Sequence, residues 1–83
     1  MNRRKESELP FWAVKFKRFR MSKGLSQQET ADILGISLGS IRAYEQGLRM
    51  PRSKTFNDMH EKLGLDVYEV FFNNKLEEVA CRK

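Results

Sequence analysis

The chain has 83 residues, 40% of them apolar, which is enough for one small hydrophobic core and too little for two. So small a core excludes a doubly wound sheet and a barrel with a deep substrate cleft. The single cysteine excludes a disulfide framework within the chain and a cysteine-rich zinc site, and it suits a reducing, cytoplasmic location. No apolar run approaches the roughly 18 residues that a membrane-spanning helix needs.

The net charge of +5 is unevenly distributed along the chain. Residues 1–25 carry eight basic and two acidic side chains, and residues 46–54 carry three basic ones. The segments 26–45 and 55–83 are each slightly acidic, at −2. Two basic blocks thus flank a near-neutral segment. This pattern indicates either an ordinary solvated surface or phosphate-binding groups placed on both sides of a recognition element. The overall basicity favours an anionic partner.

The first predicted helix follows a flexible basic arm formed by residues 1–7. It runs from about Glu8 to Lys23, and the spacing of Trp12, Phe16 and Phe19 places one apolar stripe on its inner side. Because the core needs that stripe, the stripe is not free to bind a membrane surface, and no membrane partner is expected.

Two short helices joined by a tight turn are predicted next. Helix 2 begins at Ser26, which can form a capping box with the glutamate three residues further on. It ends before Gly35, which supplies the positive φ that the turn needs. Helix 3 runs from Ser37 to about Gln46, with Ile41 and Tyr44 facing inward.

The last two predicted helices complete an all-α bundle. Helix 4 spans about Ser53 to Leu63, with Phe56 and Met59 on its apolar side. Helix 5 follows an Asp66 cap, and its apolar residues are Val67, Val70 and Phe71. The sequence therefore predicts five short helices over residues 8–72, with a helix-turn-helix formed by helices 2 and 3, and a C-terminal extension over residues 73–83.

The most specific signal is a set of residues at fixed spacing across this bundle. Ala31 supplies the small side chain that a steep helix crossing needs. The other members are Leu25-Ser26-Gln27-Gln28-Glu29, Leu34-Gly35-Ile36-Ser37, Ile41, Tyr44-Glu45-Gln46-Gly47, Pro51 and Leu63-Gly64-Leu65. On these residues, the segment from Phe19 to Phe71 resembles the helix-turn-helix domains of phage Cro and repressor proteins, also called the xenobiotic-response-element type. The resemblance implies a five-helix bundle that binds operator DNA, usually as a two-fold dimer, with helix 3 in the major groove.

The resemblance also implies which residues contact DNA. The positions that face base edges in the family are occupied here by Leu38, Gly39, Arg42 and Ala43. The positions expected to contact phosphate are occupied by Gln27, Ser37, Gln46, Arg49, Arg52 and Lys54. Ser37 also corresponds to the N-cap of helix 3, and Gln27 is either a phosphate contact or an ordinary first-turn residue. The residues Arg3, Arg4 and Lys5 form either an arm that reaches around DNA or into a minor groove, or a solubilising tail.

The base-facing positions depart from the family pattern. Relatives often carry Gln, Arg, Ser or Thr there, whereas Leu38, Gly39 and Ala43 cannot donate side-chain hydrogen bonds. Direct readout then depends on Arg42, which either makes a bidentate contact with guanine or has a phosphate- or solvent-facing role.

Two polar residues are interpreted as structural. Glu45 is expected to be tied to a nearby cation such as Arg20 at the end of helix 1. Thr30 stands where the family usually has a leucine, which slightly weakens the expected core.

Apolar residues beyond helix 5 predict a homodimer. Phe72, Leu76 and Val79 have no obvious place in so small a core, and an exposed apolar patch usually marks an interface. A two-fold dimer would bind an inverted repeat whose half-site centres lie about 10–10.5 base pairs, or a multiple of that, apart.

Together these features predict a sequence-specific transcriptional regulator of double-stranded DNA, a repressor acting as a homodimer. Since no sensor domain fits in 83 residues, any regulation would come from a protein or peptide partner, from degradation or from the concentration of the protein itself. The alternative is a protein-interaction module on the same fold, of the antitoxin or antirepressor kind. No enzyme, metal or cofactor is expected, because His60 has no nucleophile beside it in the sequence, Cys81 is a lone thiol, and no Gly-rich phosphate loop or HExxH motif occurs.

Overall fold

The structure, a computed structural model, describes residues 8–74 and has five helical elements in the predicted order. They are α1 (Phe11–Ser22), α2 (Gln27–Leu34), α3 (Leu38–Glu45), α4 (Ser53–Leu63) and α5 (Tyr68–Phe72). The described residues contain no strand. The predicted all-α, five-helix bundle is confirmed.

Helix α1 begins later than the sequence predicts. Pro10 is its N-cap residue and has extended backbone angles, with φ −63° and ψ 151°. A proline disfavours helical backbone in the residue that precedes it, so the predicted start at Glu8 is wrong. The apolar stripe itself is confirmed, since Phe16 is fully buried and Trp12 and Phe19 pack half-buried against the core.

The turn between α2 and α3 has the predicted capping groups. At the start of α2, Ser26 Oγ accepts from the Glu29 backbone N–H at 3.0 Å, and the Ser26 N–H donates to Glu29 Oε1 at 2.8 Å. Gly35 ends α2 with a φ of 69°, a left-handed conformation in which a side chain would be strained. Ser37 then caps α3 by accepting from the Ser40 backbone N–H at 3.1 Å. These groups fix where each helix of the motif stops and starts.

The core is centred on an aromatic cluster that joins α1, α3 and α5. The Phe16 ring meets Tyr44 edge-on, with centroids 6.1 Å apart, and lies 5.9 Å from Phe71. Ala31 on α2 is fully buried, and α2 packs against both α3 and α4. The remaining buried apolar residues of this cluster are Leu34, Ile41, Met59, Leu63, Leu65 and Val70.

Thr30 is accommodated in the core without an unpaired polar atom. It is fully buried, and its hydroxyl donates to the Ser26 carbonyl at 2.9 Å. What the threonine loses relative to a leucine is therefore buried apolar volume, while its hydrogen bond is satisfied within α2.

Gly47 fixes the loop after α3 against the start of α1. Its φ is 74°, and a Cβ at this position would lie 2.8 Å from Pro10 Cγ and closer still to Cδ. Any side chain would therefore both strain the backbone and displace the Pro10 ring. The close approach anchors the basic loop that carries Arg49 and Arg52.

Helix α5 is one π-helical turn. Asp66 caps it as predicted, since its Oδ1 accepts from the Glu69 N–H at 3.1 Å. The Asn73 N–H donates to the Tyr68 carbonyl at 2.9 Å, whereas in an α-helix it would donate to the Glu69 carbonyl. Lys15 Nζ donates to that carbonyl at 2.9 Å, to Glu69 Oε2 at 3.0 Å and to the Asn73 carbonyl at 2.7 Å. The hydrogen bonds from Lys15 and then Asn73 hold the pKa of the Glu69 carboxyl below its ordinary value.

Candidate nucleic-acid interface

The outward side of α3 combines small or apolar side chains with one arginine. The residues that α3 turns inward are Ile41, Tyr44 and Glu45, all buried. On the opposite side Gly39 and Arg42 are exposed, and Leu38 and Ala43 are half-buried at its edges. The four predicted base-facing residues therefore share one side of the helix, as its periodicity requires.

Arg42 is the only one of these four that carries hydrogen-bond donors in its side chain. It is exposed, and no partner for its guanidinium lies among the described residues. A guanidinium offers five N–H donors in a fixed planar fork, which matches the two acceptors on the major-groove edge of guanine. The geometry thus leaves Arg42 available for a base or a phosphate.

Arg49 lies along α3, although it belongs to the following loop. Its Nη2 donates to Ser40 Oγ at 2.7 Å, and its guanidinium is 5.8 Å from the centre of the Tyr44 ring. Ser40 Oγ is in turn 3.0 Å from Ser37 Oγ. The structure therefore brings together two predicted phosphate residues, Ser37 and Arg49, through Ser40. Sequence reasoning missed Ser40, for which the only signal is a hydroxyl three residues after the N-cap.

The other candidates on this side of the domain are more exposed. Gln46 is the exposed C-cap residue of α3, and Arg52 is the exposed N-cap residue of α4. Lys54, whose side chain is 86% exposed, pairs with Asp58 at 3.1 Å. Surface pairs of this kind contribute about 0–1 kcal/mol, so the Lys54 ammonium can exchange Asp58 for a phosphate at little cost.

Gln27 is linked to the buried ion pair beneath the motif. The predicted tie between Glu45 and Arg20 is confirmed, with Arg20 Nε 2.5 Å from Glu45 Oε2 and Nη2 3.2 Å from Oε1. Gln27 Nε2 donates to the same Glu45 Oε1 at 3.0 Å. Glu45 therefore fixes the Gln27 amide at the start of α2, and the second hydrogen of Nε2 remains for another acceptor.

Some predicted residues lie outside the described part of the chain. These are Arg3, Arg4 and Lys5 of the arm, and Leu76 and Val79 of the extension. Phe72, the remaining interface candidate, is 53% exposed, and its ring centroid is 5.8 Å from that of Phe56. Tyr68 on the same turn is 68% exposed, so α5 presents two aromatic side chains to the surface.

Groups suited to metal chemistry do not assemble within residues 8–74. No three His, Cys, Asp or Glu side chains come close enough there to hold a metal ion. His60 is exposed on α4, with Nδ1 3.4 Å from the Leu65 carbonyl oxygen. Cys81 lies outside the described residues. Among the described helices, none has the length and apolar character to cross a membrane.

Comparison with known proteins agrees with this geometry. The family model described as helix-turn-helix matches residues 16–70, more than half of the chain. No curated protein and no solved structure gives a significant match. The match spans α2 and α3 with the caps and turn described above, together with α4 and most of α1 and α5. The chain therefore belongs to the Cro/repressor-type helix-turn-helix family of DNA-binding regulators.

Proposed function

We propose that the protein is a cytoplasmic transcriptional repressor that binds an inverted-repeat operator as a homodimer, with α3 in the major groove. The observation that carries this proposal is the capped α2–turn–α3 motif with basic residues around its exposed side. Phosphate contacts from the basic residues would set the register, and α3 would read the bases. The N-terminal residues Arg3, Arg4 and Lys5 would extend the contact beyond the major groove.

Base readout in this proposal rests mainly on Arg42. We expect Arg42→Ala to weaken binding to the preferred site by about 1–3 kcal/mol and to abolish the preference at one base position per half-site. The matched control is Arg42→Lys, which keeps the charge without the planar fork, so it should lose the preference while leaving the salt dependence unchanged. Titrations against the preferred site and its single-base variants measure both effects. Unchanged base preference in Arg42→Ala would place recognition elsewhere, for example in DNA shape.

Gly39 is proposed to allow the α3 backbone to approach the groove closely. A Cβ added here would meet only Ser37 Oγ, at an ordinary 3.7 Å. Gly39→Leu should therefore raise stability by about 0.5–1 kcal/mol through helix propensity. It should weaken DNA binding, because the side chain fills the space between helix and bases. Thermal unfolding and DNA titration of the same sample measure both changes, and undiminished DNA affinity would contradict the close approach.

Dimerisation is proposed to occur through the surface around α5 and the segment that follows it. Two exposed aromatic residues, Tyr68 and Phe72, support this, since exposed apolar patches usually mark interfaces. One recognition helix in one groove segment rarely binds tightly, and two-fold symmetry doubles the contacts.

The double variant Phe72→Asp with Leu76→Asp tests the dimer. Sedimentation at micromolar concentration should show a wild-type dimer and a folded monomeric variant, whose operator affinity is at least about tenfold lower because half of the contacts are lost. Met21→Asp, at an equally exposed apolar residue on α1, should remain a dimer. A wild-type monomer that binds a single half-site with full affinity would rule the dimer out.

A protein-interaction role of the antitoxin or antirepressor kind is the second candidate. The observation that favours it is the outward side of α3, where Leu38, Gly39 and Ala43 offer no side-chain hydrogen bonds to bases. A stoichiometric protein complex that forms through α3, in a protein with no sequence preference on DNA, would support this role over the first.

A further inference from the structure

Arg49 is an exposed arginine whose position is nevertheless defined by two contacts. Its Nη2 donates to Ser40 Oγ at 2.7 Å, and its guanidinium lies over the Tyr44 ring at 5.8 Å. An arginine on a loop otherwise samples many rotamers, and ordering it costs free energy when it binds. Both contacts hold the guanidinium along α3, so it accompanies that helix wherever the helix docks.

The cap bond of α3 does not require the Ser40 hydroxyl, although Ser40 Oγ lies 3.0 Å from the capping Ser37 Oγ. The cap consists of Ser37 Oγ and the backbone N–H of Ser40, at 3.1 Å, and it does not require a side chain at position 40. Alanine also has a higher helix propensity than serine. The cap bond therefore remains when the Ser40 hydroxyl is removed, whereas the hydrogen bond that holds Arg49 is lost.

We infer that Ser40 is a positioning residue for DNA binding, which preorganises Arg49 for a bidentate contact with a backbone phosphate beside α3. This inference rests on the DNA binding proposed above. One guanidinium donor goes to Ser40, and the remaining donors still form the fork that fits two phosphate oxygens. A lysine at position 49 has one ammonium and cannot make the same pair of contacts.

The first test is Ser40→Ala. We expect DNA affinity to fall about two- to tenfold, because Arg49 must then be ordered during binding. The dependence of affinity on salt should not change, since every charge is kept. The thermal stability of the free protein should change little, because the Ser37 cap bond to the backbone of residue 40 is kept. Ser22→Ala is the control, because the Ser22 hydroxyl donates to the Phe19 carbonyl within α1 and should not affect DNA binding.

A double-mutant cycle shows whether Ser40 acts through Arg49. In an Arg49→Ala background, Ser40→Ala should have no further effect on DNA affinity. In the wild-type background, Ser40→Thr should retain the DNA affinity that Ser40→Ala loses. An equal loss from Ser40→Ala in both backgrounds would overturn the inference, as would no loss in either. Absence of DNA binding by the wild-type protein would instead refute the proposed function, and the inference with it.

Discussion

Glu45→Ala is expected to lower the free energy of unfolding by about 3–5 kcal/mol, because it leaves the Arg20 charge buried without its partner. The side chains of Glu45 and Arg20 are only 4% and 10% exposed. Glu45 also accepts from Gln27, so the substitution removes hydrogen bonds that link α1, α2 and α3. Since small domains have only about 5–15 kcal/mol of stability, this loss should be evident in urea or thermal unfolding.

Two controls separate the buried pair from a general effect of losing charge. The double variant Arg20→Met with Glu45→Leu should be much less destabilised than Glu45→Ala, since it leaves no charge in the core. Glu61→Ala, at an exposed glutamate on α4, should change stability by no more than about 0.5 kcal/mol. A loss below about 1 kcal/mol for Glu45→Ala would mean that the pair is effectively solvated.

DNA affinity is expected to fall about a thousandfold between 50 and 200 mM salt. Even without the N-terminal arm, a dimer would present six cations to phosphate, namely Arg49, Arg52 and Lys54 from each protomer. Releasing the counterions of these six phosphates alone gives a slope of about −5 in log affinity against log salt concentration, and contacts from the arm would steepen it. Fluorescence anisotropy of a labelled operator across this salt range measures the slope directly.

Arg52→Ala measures how much Arg52 contributes to the slope of log affinity against log salt concentration. It removes two cations from the dimer, so the slope should become about −3.5, and affinity should fall to a similar extent for all DNA sequences. Lys62→Ala is charge-matched and lies at the other end of α4, where we expect no contact, so it should leave the slope unchanged. A flat salt dependence of the wild-type protein would remove the electrostatic argument altogether.

Local signals in the sequence were sufficient to predict most of the fold. The capping box at Ser26, the left-handed turn at Gly35 and the cap at Ser37 each depend on residues within four positions of one another. The pairing of Arg20 with Glu45 was also predictable, because a glutamate at an inward position of α3 needs a cation nearby.

Features that depend on contacts between distant segments were not predictable in the same way. The Glu69 carbonyl of the π-helical turn α5 accepts a hydrogen bond from Lys15, which lies 54 residues earlier in the chain. The same is true of the approach of Gly47 to Pro10, since neither residue signals the other in the sequence. In the candidate interface, the contact between Ser40 and Arg49 depends on the path of the loop that returns Arg49 to α3, which no local sequence signal indicates.

The central claim, that the exposed side of α3 reads operator DNA, is tested most directly by in-vitro selection of bound duplexes from a random pool at a stated salt concentration. We expect an enriched inverted repeat with half-site centres about 10–10.5 base pairs, or a multiple of that, apart, and a guanine in each half-site whose enrichment depends on Arg42. A pool that remains random after selection, although the folded protein is retained throughout, would contradict it.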